Sequence, residues 1–144
     1  MSKPAPHKLS DYRHSLVIPT RWADNDAYGH VNNSVYYFYF DTVVNKWLID
    51  KGLLEIGTNE VVGLVVETGC AYFAPISFPD DVVTALRVTK IGNSSVRYEI
   101  GLFRNDDTQA AAQGHFVHVY VDEKTRRPVK IPDTMRATLE EIVL

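Results

Sequence analysis

The apolar positions change period along the chain, and each change marks an element. Residues 15–22, Ser-Leu-Val-Ile-Pro-Thr-Arg-Trp, are short, β-branched and aromatic, which predicts a first strand, with Pro19 tolerated at an edge or a bulge. The stretch from Ala23 to Asn33 is dense in Asp, Asn and Gly, residues that form turns, and predicts a loop. Residues 34–50 set propensity against periodicity. Their aromatic and β-branched side chains favour a strand, yet Tyr36, Phe40, Val43, Val44, Trp47 and Leu48 recur with the helical period, while Asp41, Thr42, Asn45 and Lys46 fall opposite. The period decides. It predicts a helix covered on most of its circumference, capped by Asn32 or Asn33 and closed by Gly52.

Val61–Phe73 reads as a long strand, buried at its beginning and stopped by Pro75. Val82–Ile91 and Val96–Phe103 flank Gly92-Asn-Ser-Ser95, a hairpin signal. From about Ala110 to Val121 the chain alternates, with Val117, Val119 and Val121 on one face and Phe116, His118 and Tyr120 on the other. Asp133 is expected to cap a closing helix that carries Met135, Leu139 and Ile142. This order is most simply satisfied by an α+β architecture in which a curved antiparallel sheet of about five strands wraps the long apolar helix. The free edges of such a sheet invite self-association.

Length and charge narrow the picture. The 144 residues suit one domain at 11–144 behind a Pro- and Lys-containing flexible tail at 1–10. A net charge of −3 argues against holding nucleic acid by bulk electrostatics. The longest aliphatic run, Val61–Val66, is far short of the ~20 residues that span a bilayer, and the first residues have no apolar leader. Cys70 stands alone and reads as a buried structural thiol, so the expected setting is cytoplasmic. His115 and His118, three apart on a strand, face opposite ways and do not share a metal.

Arg21-Trp-Ala-Asp-Asn-Asp-Ala-Tyr-Gly-His-Val-Asn-Asn33, followed by the aromatic helix, resembles the signature of the hotdog-fold acyl-CoA thioesterases of the 4-hydroxybenzoyl-CoA thioesterase-like family. Glu67-Thr-Gly-Cys-Ala-Tyr-Phe-Ala-Pro75 ahead of Phe78-Pro-Asp80, the Gly92–Ser95 turn and Tyr120-Val-Asp122 extend the likeness over residues 12–140. The resemblance implies a hotdog fold that hydrolyses an acyl-CoA thioester to free acid and CoA, using no cofactor and no metal. It places the site between subunits of a homodimer or homotetramer, with Asp26 as nucleophile or general base. His30 is then a candidate to orient substrate or water, and Asn33 a candidate through its backbone N–H. Gly29, Val31, Asn32, Tyr36, Glu67, Thr68 and Tyr72 are the implied substrate-binding candidates.

The chemistry is coherent on its own terms. Thioester hydrolysis needs a nucleophile or a base for water, which a loop carboxylate supplies. It also needs donors for the developing oxyanion, and the N–H groups of a first helical turn are unpaired and at the positive end of the dipole. The plainer readings are that Asp24 is a turn former or a partner of Arg21, and Glu67 an exposed strand residue. Lys124, Arg126, Arg127 and Lys130 make an ordinary solvated turn or an anchor for CoA phosphates. Two other functions stand beside hydrolysis. One is a hotdog hydratase or dehydratase, which the Asp26–His30 spacing fits poorly; the other is a non-catalytic acyl-CoA-binding module.

Overall fold

The computed structural model describes residues 4–57 and 59–144. Period prevails over propensity at α1, Asn33–Asp50, because a helix lets seven apolar and aromatic side chains enter one core. Tyr36, Tyr39, Phe40, Val43, Val44, Trp47 and Leu48 are all buried there. Asn32 caps it through its side-chain oxygen, which accepts from the Ser34 amide at 2.9 Å. At the other end Gly52, with φ +73°, lets the chain leave in the left-handed region, and the Leu53 amide donates back to the Leu48 carbonyl at 2.8 Å.

Five strands surround this helix: β1 His14–Pro19, β2 Val61–Tyr72, β3 Asp81–Ile91, β4 Ser95–Arg104 and β5 Ala112–Asp122. They form one antiparallel sheet in the order β1-β3-β4-β5-β2, so β1 and β2 are its edges. Pro19 ends β1 on such an edge, as its missing N–H requires. The β3–β4 hairpin closes with the Gly92 amide on the Ser95 carbonyl at 2.7 Å. On β5 it is Phe116, His118 and Tyr120 that turn inward, while Val117 and Val119 are half-buried on the outer face. A short helix α2, Asp133–Glu140, sends Met135 and Leu139 into the same core, joined by Ile142 just beyond it.

Three expectations are corrected. The beginning of β2 is not buried: Val61 and Val62 are half-buried, and residues 63–68 are exposed because β2 is an edge with no strand beyond it. Asp133 does not cap α2; it is the first helical residue, Pro132 holds the cap position, and no side chain bonds there. Finally, residues 4–10 of the supposed tail are tied to the outer face of the sheet, while residues 1–3 lie outside the described residues. Gln113 clamps them from both sides, accepting from the His7 amide at 2.7 Å and donating to the Ala5 carbonyl at 3.0 Å. The Leu9 amide donates to the Thr108 carbonyl at 3.0 Å.

Candidate active site

The loop between β1 and α1 is built around a buried charge. Asp24 is 1% exposed. Its carboxylate accepts from the Arg21 amide and the Tyr39 hydroxyl, each at 2.8 Å, and from Arg21 Nε at 3.0 Å. Burial pushes its pKa up, but these hydrogen bonds and the Arg21 guanidinium outweigh that and hold it below the usual carboxylate range. The Asp24 carbonyl accepts from the Asn32 amide at 2.9 Å, which ties this centre to the helix cap. Asp24 is thus a partner of Arg21, one of its two plainer readings.

Two residues on, the chain doubles back. The Asp26 amide donates to the His30 carbonyl at 2.8 Å, the Gly29 amide to the Asp26 carbonyl at 3.1 Å, and Asn25 bridges Val31. Gly29 sits at φ +79°, a conformation that costs a side-chain-bearing residue energy. Asp26 Oδ1 accepts from the Tyr28 amide at 2.8 Å, which fixes the carboxyl in the turn. Val31 is buried, and its amide donates to the Ile76 carbonyl at 2.7 Å. The loop is therefore anchored on both sides of Asp26.

A cavity of about 410 Å³ opens beside this turn. Asp26 and His30 bound it from the loop, residues 31–33 and Tyr36 from the start of α1, and residues 72–75 from the end of β2. The β2 end is pinned to the helix: the Tyr72 hydroxyl donates to the Asn33 carbonyl at 3.2 Å, and the Tyr36 and Tyr72 rings lie 4.9 Å apart. At the first turn of α1 the Ser34 amide is taken by Asn32 and the Val35 amide by the Asn32 carbonyl. The Asn33 amide has no acceptor among the described residues. A first-turn amide of this kind has no partner within its own helix.

Of the residues singled out in the sequence, Asp26, His30, Val31, Asn32, Asn33, Tyr36 and Tyr72 share this cavity. Gly29 shapes the turn without lining it. Glu67 lies on the outer face of the sheet, with His115 Nε2 at 3.0 Å and Arg97 at 3.7 Å, and Thr68 donates to the His115 carbonyl at 2.9 Å. Neither borders the cavity. Phe73, Ala74 and Pro75 line it although they carry no reactive group. Their signal was positional, since they follow directly on Tyr72. Burial pushes the Cys70 thiol up to about 11. The basic residues after Asp122 sit at the far end of β5, because Asp122 pairs with Val61 and Ala112 with Tyr72, roughly 35 Å apart along the strand. They do not reach Asp26 within one chain.

Residues 20–139 match the thioesterase-like superfamily. The chain belongs to that superfamily. Among solved structures, this thioesterase-like chain is similar to the PA5185 protein of Pseudomonas aeruginosa, with 48% identity, 96% of each chain covered and a TM-score of 0.92. It is also similar to PA2801 of the same organism, a thioesterase candidate, with 31% identity, 89% of this chain and 98% of that one covered, and a TM-score of 0.83. A 22% identical relative over 126 residues is the chloroplastic acyl-acyl carrier protein thioesterase ATL3 of Arabidopsis thaliana. That match takes in 86% of this chain and 66% of ATL3, so the chain spans just under two thirds of that protein's length. The curved sheet around α1 is the hotdog fold. No helix among the described residues is long and apolar enough to cross a membrane.

Proposed function

We propose that the protein hydrolyses an acyl-CoA thioester to free acid and CoA, with Asp26 as nucleophile or general base. The observation that carries this reading is one cavity lined by both Asp26 and Asn33, the amide of the latter having no acceptor among the described residues. In the general-base route, Asp26 takes a proton from water as the water oxygen attacks the thioester carbonyl. In the nucleophilic route, a carboxylate oxygen attacks directly, and water later cleaves the resulting anhydride. Either way the carbonyl oxygen gathers negative charge, and a positioned amide at the positive end of α1 stabilises it, an interaction typically worth ~10²–10³ in rate. Collapse expels the CoA thiolate. His30, exposed on the same rim, is positioned to hold water or substrate.

Asp26 is half-buried and His30 and Asn33 are exposed, so one chain alone leaves water free to enter. We assign the closing wall to a second copy of the chain. Leu64, Val65 and Val66 on the β2 edge are 40%, 48% and 61% exposed, and no Lys, Arg or Pro between Val61 and Tyr72 guards that edge. Sedimentation at micromolar concentration is expected to give a dimer or larger species, and a stable monomer would remove this wall.

Assay of a panel of acyl-CoAs with a thiol reagent tests the activity. Asp26→Asn is expected to lower kcat by ~10²–10⁴ with its melting temperature kept. Unchanged turnover in a folded variant would refute the assignment, and binding of acyl-CoA without release of free thiol would make the chain a binding module. The carrier-protein substrate named for the Arabidopsis relative supports a second reading, in which acyl carrier protein delivers the acyl group. Turnover of acyl carrier protein thioesters in preference to acyl-CoA would establish it.

A further inference from the structure

A second cavity, of about 450 Å³, lies at α1 and is lined from the residue next in sequence to the first one. Asn33 lines the first and Ser34 the second. Ser34, Tyr37, Phe38 and Asp41, which recur at the helical period on one side of α1, line it together with Phe116 of β5. Three of its five lining side chains are aromatic, and Phe38 is 68% exposed, a large apolar surface left uncovered. Each cavity is of the size that holds a small ligand. The far end is polar: Asp41 Oδ1 accepts from Asn45 Nδ2 at 2.9 Å, and the same nitrogen donates to the Asp41 carbonyl at 2.8 Å.

Resting on the thioesterase reading above, we infer that this groove is an acyl ruler, selecting straight aliphatic chains of roughly eight to ten carbons with Asp41 as its stop. The thioester carbonyl is held by the Asn33 amide, so the acyl chain starts there. Eight residues separate Asn33 from Asp41 on α1, a rise of about 12 Å. An extended alkyl chain, with bonds of about 1.5 Å set in a zigzag, advances roughly 1.25 Å per carbon. About nine or ten carbons therefore reach Asp41. Up to that length each methylene trades water for the Tyr37, Phe38 and Phe116 rings. Beyond it, the methyl end meets a hydrated carboxylate and amide, whose desolvation opposes further burial.

The test is kcat/KM for a series of straight-chain acyl-CoAs from four to sixteen carbons, measured on the wild-type protein and on Asp41→Leu and Phe38→Ala. In the wild type, kcat/KM is expected to rise about fourfold per added methylene and to turn over near eight to ten carbons. Asp41→Leu is expected to move the maximum to longer chains, raising the ratio of twelve-carbon to eight-carbon kcat/KM at least tenfold. Phe38→Ala is expected to flatten the rise, and sedimentation of that variant checks that the assembly is kept. A flat length profile, a maximum that Asp41→Leu leaves in place, or a preference for aryl over alkyl thioesters would overturn the ruler while leaving the thioesterase reading intact. Absence of hydrolysis at every length would instead defeat that reading, and a change of assembly in Phe38→Ala with an unchanged length profile would make the groove a subunit contact.

Discussion

Removing one oxygen atom from the buried centre beneath the loop provides a stringent check on how the site is held. In Tyr39→Phe the ring stays in a site that is only 5% exposed, but Asp24 loses the 2.8 Å bond to the tyrosine hydroxyl. A hydrogen bond to a charged group contributes about 1.5–3 kcal/mol, so a loss near 2 kcal/mol is expected. For 144 residues the entropy of unfolding is about 0.3 kcal/mol per kelvin, and the melting temperature should fall by roughly 7 °C. Because the pKa of Asp24 is lowered in the fold, its stabilising contribution is complete above the ordinary carboxylate value of 3.8 and disappears as pH falls through the lowered one. The Tyr39→Phe deficit should therefore be constant from neutral pH to about pH 5 and close only in stronger acid. Urea denaturation of Tyr39→Phe, Asp24→Asn and the double variant measures the coupling directly. A deficit under about 0.5 kcal/mol, or an equal deficit in the Asp24→Asn background, would show that this centre does not hold the loop.

Two further outcomes follow from the core. His118 is buried with its Nε2 unpartnered among the described residues, and burial lowers its pKa from 6.5 to about 4. The unfolded chain thus binds a proton that the folded chain refuses, so about 3 kcal/mol of stability is lost as pH falls from 6.5 to 4. His118→Phe should remove that slope in denaturation curves at pH 7 and 4.5 while keeping neutral-pH stability; an unchanged slope would contradict it. In Gly114→Ala the new methyl would collide with the Gly69 carbonyl oxygen and the Phe40 ring. A backbone oxygen cannot step aside, so a loss of 1–3 kcal/mol or more is expected by thermal melting, and a neutral result would mean that β2 and β5 can separate there.

What was legible in the sequence is whatever local spacing controls. The α1 period overrode strand propensity because a helix buried on most sides tolerates β-branched and aromatic residues, and the Asp-Asn-Gly loop signalled its turn through side chains that bond their own backbone. Asp26 was singled out by the resemblance carried by residues 21–33, and the shortness of that loop is what brings it and the helix-start residues to one cavity. Long-range pairing hid the rest. Val61–Val66 looks like a buried strand until the sheet order puts it on an edge, and only the bulge after Val65 tells that Glu67 stands apart from the cavity of Asp26 within one chain. Residues 4–10 read as a tether because their partner, Gln113, lies more than a hundred positions away.

That Gln113 clamp has a practical corollary. Gln113 stands opposite Ala71, the neighbour of Tyr72, so the amino-terminal segment buttresses from behind the strand end whose front forms one wall of the cavity. Trimming those residues or loading them with a bulky fusion would be felt on the reactive side, through a Tyr72 that no longer has a firm backing.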